Sequence, residues 1–241
     1  MVFVPFKEIE ITPDEINLAY EDVFVDVEPD VTINAWYFPA SDSGRTVLFC
    51  HGNAGNISHR LETVRFLLDQ GSSVLLFDYR GYGRSTGSPS EDGLYADAVA
   101  CYKWLIEKKG VTPDNLVIFG RSLGGAVAVE LASQVECSGV IVESSFTSAA
   151  AMGRNLFPFF PIQLILRYKF DTVDKIGQLK QPVLIAHSPQ DDIVPFAMGQ
   201  KLFEAATEPK TFIELSGGHN ELVYLVDSEY VSAIRSMLRP I

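Results

Sequence analysis

The chain has little that would tie it to a metal, a nucleic acid or a membrane. Its 241 residues include only three cysteines, Cys50, Cys101 and Cys137, far apart and without CxxC spacing. So sparse a set makes neither a disulfide framework nor a metal cage, and these thiols read as buried and inert. Positive charge is scarce: 19 Lys and Arg against 31 Asp and Glu leave a net charge of -12. That balance excludes a phosphate-backbone partner and disfavours docking on anionic lipid. The most apolar stretch, Leu156 to Leu166, is broken by Pro158, Pro161 and Gln163. It falls short of the roughly 20 residues that span a bilayer, so no transmembrane segment is expected. The opening MVFVPFKEIE lacks the basic start and cleavage site of a signal peptide, so the expectation is a soluble, cytoplasmic protein. None of this argues against a neutral small molecule as substrate, and none of it sets the oligomeric state.

What is present is an ordinary globular composition, 47% apolar and 21% charged, with enough residues for one domain and a sizeable core. Val23, Val25 and Val27, then Val31, Ile33, Ala35 and Tyr37, alternate with polar residues around Glu28-Pro29-Asp30. That period of two predicts an antiparallel hairpin. Beyond Arg45 come short apolar runs at Thr46–Cys50, Ser73–Phe77, Leu116–Phe119, Val140–Val142, Val183–Ala186 and Thr211–Leu215. Segments of helical spacing separate them, at Ile57–Leu68, Leu94–Ile106, Ala126–Ala132, Met198–Ala206 and Leu222–Leu238. Apolar strands alternating with helices predict an α/β fold: a mostly parallel sheet with helices on both faces and the hairpin as an antiparallel edge. Residues 145–180 break the rhythm with an aromatic-rich excursion, read as a short cap within a single domain.

The chemistry is concentrated in Gly120-Arg121-Ser122-Leu123-Gly124. A GxSxG string alone is weak. Here it follows an apolar strand and precedes the small-residue helix start Gly125-Ala126-Val127, the setting of a nucleophile elbow. So tight a reversal strains the serine backbone and leaves no room for side chains at Gly120 and Gly124. The competing reading is a Gly-rich helix N-terminus with Ser122 merely capping it, which the strand–turn–helix setting disfavours.

A serine hydroxyl needs a base within hydrogen-bond reach, and an elbow nucleophile is followed in the chain by acid and then histidine. Of four histidines, only His187 and His219 come after Ser122. His187 closes an apolar strand. His219 lies in the loop Ser216-Gly217-Gly218-His219-Asn220 and is read as the base. Asp191 is read as the acid that orients it, with Asp192 as the alternative and Glu143 a third. For the oxyanion hole, the backbone N–H of Leu123 and that of Asn53, or else Ala54, in the loop His51-Gly52-Asn53-Ala54-Gly55-Asn56 are the candidates. His51 is read as shaping that loop. Phe146, Phe157 and Phe160 are candidate pocket residues, though Phe157, Phe159 and Phe160 could equally pack the cap onto the sheet. Tyr82 and Arg84 either line the pocket or brace their turn.

Taken together, HGNAGN (51–56), FDYRGYGRSTGSPSE (77–91), GRSLGG (120–125), HSPQDDIVP (187–195) and SGGHN (216–220) resemble the α/β-hydrolase superfamily over about residues 45 to 240. Within it the chain looks most like the small esterase and thioesterase subgroup that includes proteins labelled serine peptidases. The resemblance implies an eight-stranded core, a Ser122–Asp191–His219 triad and no cofactor or metal. It also favours Asp191 over Asp192, because the acid usually stands about four residues after its strand. The expected activity is hydrolysis of a carboxylic ester or thioester through an acyl-enzyme on Ser122. A short-peptide peptidase and a catalytically silent binding module on the same fold are the alternatives. The Cys-rich amino terminus of membrane-acting depalmitoylases is absent from the sequence.

Overall fold

Residues 3–40, 44–156, 167–221 and 227–239 are described by the structure, a computed structural model. Its strands are β1 (Val4–Pro5), β2 (Glu21–Glu28), β3 (Val31–Phe38), β4 (Thr46–Cys50), β5 (Ala54–Gly55), β6 (Ser73–Phe77), β7 (Leu116–Arg121), β8 (Gly139–Glu143), β9 (Val183–His187) and β10 (Lys210–Glu214). Its helices are α1 (Leu61–Asp69), α2 (Glu91–Lys109), α3 (Leu123–Gln134), α4 (Ala149–Leu156), α5 (Thr172–Ile176), α6 (Phe196–Ala205) and α7 (Ser228–Leu238).

Eight strands form one sheet in the order β10-β9-β8-β7-β4-β6-β3-β2. From β6 to β10 all neighbours are parallel, while β3 runs antiparallel to both β6 and β2. The central strands β4, β8 and β9 are buried at every position, as a sheet covered on both faces requires. The edge strand β2 is instead largely exposed and keeps the period of two. Helices α2, α3, α5 and α6 pack one apolar layer, and α1 and α7 pack the other. The hairpin, the parallel core and the helices on both faces agree with the pattern of the sequence. The expected helix at 57–68 opens as a 3₁₀ turn over Ile57–Arg60. The first residues of the expected helix at 222–238 lie outside the described residues.

Two features were not foreseen. Strand β7 continues past Phe119 to Arg121, which pairs in register with Glu143 at the end of β8. A two-residue parallel ladder also joins β1 to β5, laying the amino-terminal segment against the 51–56 loop. Nine of the twelve residues of α3 are buried, and its exposed ones, Ser133 and Gln134, lie in the C-terminal turn of the helix. Its close seating depends on Gly124, where a Cβ would lie 1.9 Å from the Cys50 carbonyl oxygen. Gly124→Ala should therefore cost about 3 kcal/mol or more of folding stability in urea unfolding. A loss below about 1 kcal/mol would mean that strand and helix can separate without penalty.

Candidate active site

Ser122 stands between β7 and α3 with φ 54° and ψ −119°. A left-handed φ is costly for a residue with a Cβ and persists only where its surroundings enforce it. Here they do. The Ser122 N–H donates to the Glu143 carbonyl at 2.9 Å, and its own carbonyl accepts from the Gly125 N–H (3.0 Å) and the Ser145 hydroxyl (2.8 Å). Leu123 is the first residue of α3, so its N–H has no partner within the helix and lies at the positive end of the dipole.

His219 comes from the loop after β10 and is 7% exposed. Its Nε2 lies 3.1 Å from the Ser122 Oγ, and its Nδ1 lies 2.7 Å from Asp191 Oδ2. Hydroxyl, imidazole and carboxylate thus form one hydrogen-bonded line. With the ring proton on Nδ1 facing Asp191, the Nε2 lone pair faces the serine hydroxyl, the arrangement that proton abstraction needs.

Asp191 lies just after β9, with its side chain fully buried. Burial alone would raise its pKa. Hydrogen bonds from His187, His219 and the Val194 and Ile193 N–H groups outweigh that and hold the carboxyl well below the usual carboxylate range. His187 is a second imidazole on this acid, 3.4 Å from Oδ2 while its Nε2 lies 3.0 Å from the Val194 carbonyl. Asp192 turns its Oδ1 to the backbone N–H of His219 at 3.1 Å. The two adjacent aspartates therefore meet the ring and the main chain of the same histidine. Glu143 does something else: it pairs with Arg121 (Nε to Oε1, 2.9 Å) and accepts the Tyr230 hydroxyl.

The other histidines stay away from Ser122. His51 is buried, its Nδ1 2.7 Å from the Gly52 carbonyl and its Nε2 3.4 Å from Asp78, and so shapes the 51–56 loop from beneath. His59 reaches Asn56 and Glu10. Burial raises the pKa of all three thiols, that of Cys137 to about 11.

The 51–56 loop lies directly beside Ser122, because a Cβ at Gly52 would come within 3.5 Å of the Ser122 Cβ. The Asn53 side chain accepts from the Val4 N–H (3.1 Å) and the Tyr82 hydroxyl (2.8 Å), and both pin the loop. Tyr82 is fully buried and is not among the cleft-lining residues, so of its two expected roles it takes the bracing one. Arg84 faces away, paired with Asp22 and Asn34.

A cleft of about 1240 Å³ opens over these groups. Gly52, Asn53, Ser122, Leu123 and His219 contribute its polar floor, and Phe146, Met152, Tyr168, Phe170, Ile193 and Val194 its apolar walls. Phe146 lines the cleft, whereas Phe157, Phe159 and Phe160 lie outside the described residues. Sequence reasoning did not name Met152, Tyr168, Phe170, Ile193 or Val194 as pocket residues, and it missed Phe3, Pro5 and Phe6, which the β1–β5 ladder brings to the cleft. Two residues of extended chain carry no periodicity from which such pairing could be read. Among the described residues no group of three His, Cys, Asp or Glu side chains could hold a metal ion, and no helix is long and apolar enough to cross a membrane.

Comparison with known proteins gives a consistent picture. Residues 45–167 match the family model described as alpha/beta hydrolase fold. An uncharacterized protein of Mycobacterium tuberculosis is 41% identical over 91% of this chain and 79% of its own length. The alpha/beta hydrolase domain-containing protein WAV2 of Arabidopsis thaliana is 36% identical over 95% of this chain and 83% of its own length. Among solved structures, an esterase of Pyrococcus furiosus superposes with a TM-score of 0.78 at 22% identity, covering 98% of this chain and 96% of that one. An alpha-beta hydrolase of Vibrio vulnificus gives 0.77 at 24% identity, covering 93% and 83%. At such identities the structures speak for the fold, and the sequence relatives and family model carry the assignment: the chain belongs to the alpha/beta hydrolase family.

Proposed function

We propose that the chain is a serine hydrolase that cleaves a carboxylic ester or thioester through an acyl-enzyme on Ser122. The observation that carries this reading is the line Ser122 Oγ–His219 Nε2–Asp191 Oδ2, at 3.1 and 2.7 Å. In the first step His219 takes the hydroxyl proton as Ser122 attacks the acyl carbon, and Asp191 stabilises the imidazolium that forms. The oxyanion is received by the backbone N–H groups of Leu123 and Asn53, each such donor being worth on the order of 3 kcal/mol of barrier. The proton on His219 passes to the leaving alcohol or thiol. Water, deprotonated by the same ring, then releases the acid.

The apolar walls suit the hydrocarbon part of an ester, while Arg60, Arg121 and Arg167 also border the cleft. Phe6 and Ile193, which line the cleft, are 49% and 43% exposed and offer apolar surface to a ligand there. The family assignment supports the hydrolase class.

A fluorophosphonate probe should label wild-type protein at Ser122 and leave Ser122→Ala unlabelled. Because the serine side chain packs little, the variant should melt within a few degrees of wild type. Absence of labelling in wild type would sink the enzyme reading and favour a silent binding module. Nitrophenyl esters of increasing chain length, tested beside thioesters and aminoacyl amides, would rank the substrate classes. Asp191→Asn should lower kcat by about 10⁴-fold, since the imidazole is then held in the wrong tautomer. Loss of no more than about tenfold would exclude Asp191 as the acid.

The depressed pKa of Asp191 makes a separate prediction about stability. Its charged form is favoured by folding, so its contribution is present above the unfolded value near about 3.9 and fades as pH falls toward the folded value. The stability gap between wild type and Asp191→Asn, measured by urea unfolding, should shrink between about pH 5 and pH 3. A gap constant across that range would show that the carboxylate gains nothing from its surroundings.

A further inference from the structure

Arg121 occupies the variable position before the nucleophile, where the elbow itself needs no particular side chain. It is nevertheless one of the most committed groups near the cleft. Its Nε meets Glu143 Oε1 at 2.9 Å, and its Nη2 donates to the His219 carbonyl at 2.6 Å, with the Glu221 carbonyl at 3.4 Å. Glu143 is almost wholly buried, and its second oxygen accepts the hydroxyl of Tyr230, which is fully buried on α7. The guanidinium is therefore held at one edge by a fixed carboxylate and presents its other edge to the main chain of the histidine.

The His219 peptide needs such a hold. Its loop is Ser-Gly-Gly-His-Asn, with Gly217 at φ 93°, and glycine pairs leave a backbone many alternatives. One side of the residue is fixed by Asp192, which accepts its N–H at 3.1 Å. The opposite side is fixed by Arg121 on its carbonyl. Glu143 ties this clamp to the nucleophile as well, because its own carbonyl accepts the Ser122 N–H at 2.9 Å.

From this geometry we infer that Arg121, oriented by Glu143, is a positioning residue that holds His219 in register with Ser122. It touches no reacting atom and acts through the histidine backbone. The inference rests on the reading of Ser122 and His219 as nucleophile and base, and it explains why arginine stands in the elbow. A lysine cannot replace it, since one ammonium on a flexible stem does not span the Glu143 carboxylate and the His219 carbonyl as a planar fork does.

The test uses two variants. Removing Arg121 alone would strand a buried carboxylate and could unfold the protein, so Arg121→Met is combined with Glu143→Gln. Arg121→Lys keeps the charge beside Glu143. Active sites are counted by fluorophosphonate titration of a parallel aliquot, so that rates in the unlabelled protein are expressed per reactive site. Both variants should lower kcat on a nitrophenyl ester, and the labelling rate, by roughly 10- to 100-fold with KM unchanged, the cost of a misplacement of about 1 Å. A lower titratable fraction with normal kcat per site would mark Arg121 as merely structural and overturn the inference. So would a wild-type kcat in Arg121→Lys.

A readout without turnover separates this from the enzyme reading. The Nδ1 proton shared by His219 and Asp191 should give a slowly exchanging low-field resonance in wild type that is lost or broadened in both variants. If wild type is neither labelled nor active, the hydrolase reading fails and that resonance alone decides the tether. If the resonance is unchanged in the variants, the tether fails whatever the activity.

Discussion

The serine backbone held at a left-handed φ between β7 and α3 is the constraint on which the rest of the site depends. Such a conformation costs of order 1–3 kcal/mol, and the surroundings must supply it. They do so by bringing α3 so close to the sheet that Gly120 and Gly124 have no space for a Cβ. The same closeness places the start of α3 against the end of β4, so the 51–56 loop emerges directly beside Ser122. One turn therefore sets Ser122, the N-terminus of α3 and the loop proposed to complete the oxyanion hole.

The partners of Ser122 come from β9 and β10, so loops must carry them to it. Buried charges there are not left alone. Asp191 receives two backbone N–H groups and two imidazoles, and Glu143 an arginine and a tyrosine. A buried carboxylate without such donors would protonate and lose its use as an anion. The protein carries a net charge of -12, yet the acids at its cleft are spent on holding neighbours in place. Asp191 serves the ring of His219, Asp192 its N–H and, through Arg121, Glu143 its carbonyl.

The amino-terminal segment contributes in a different way. Hydrogen bonds from Val4 and Phe6 to Asn53 and Gly55 fasten it along the 51–56 loop, and Phe3 packs edge-on against Tyr168 and Phe170, which line the same cleft. A strand two residues long gains little from its own ladder. It is held as well by Phe3, which is buried in the apolar layer that includes Phe146 and Phe170.

By itself the sequence determined the alternation of buried strands and amphipathic helices, because apolar periodicity is a property of neighbouring residues. It also singled out the elbow, whose glycines are demanded by local sterics, and pointed to His219 as the candidate base and Asp191 as the candidate acid, with Asp192 and Glu143 behind it. Tertiary structure decided everything that rests on distance between remote segments. It put Asp191 on the His219 ring and Asp192 on its backbone, assigned Glu143 to Arg121, sent Tyr82 to brace the loop, and drew Phe3 and Phe6 into the cleft. Those choices turn on ångström differences in how loops from separate strands meet, and no spacing along the chain encodes them.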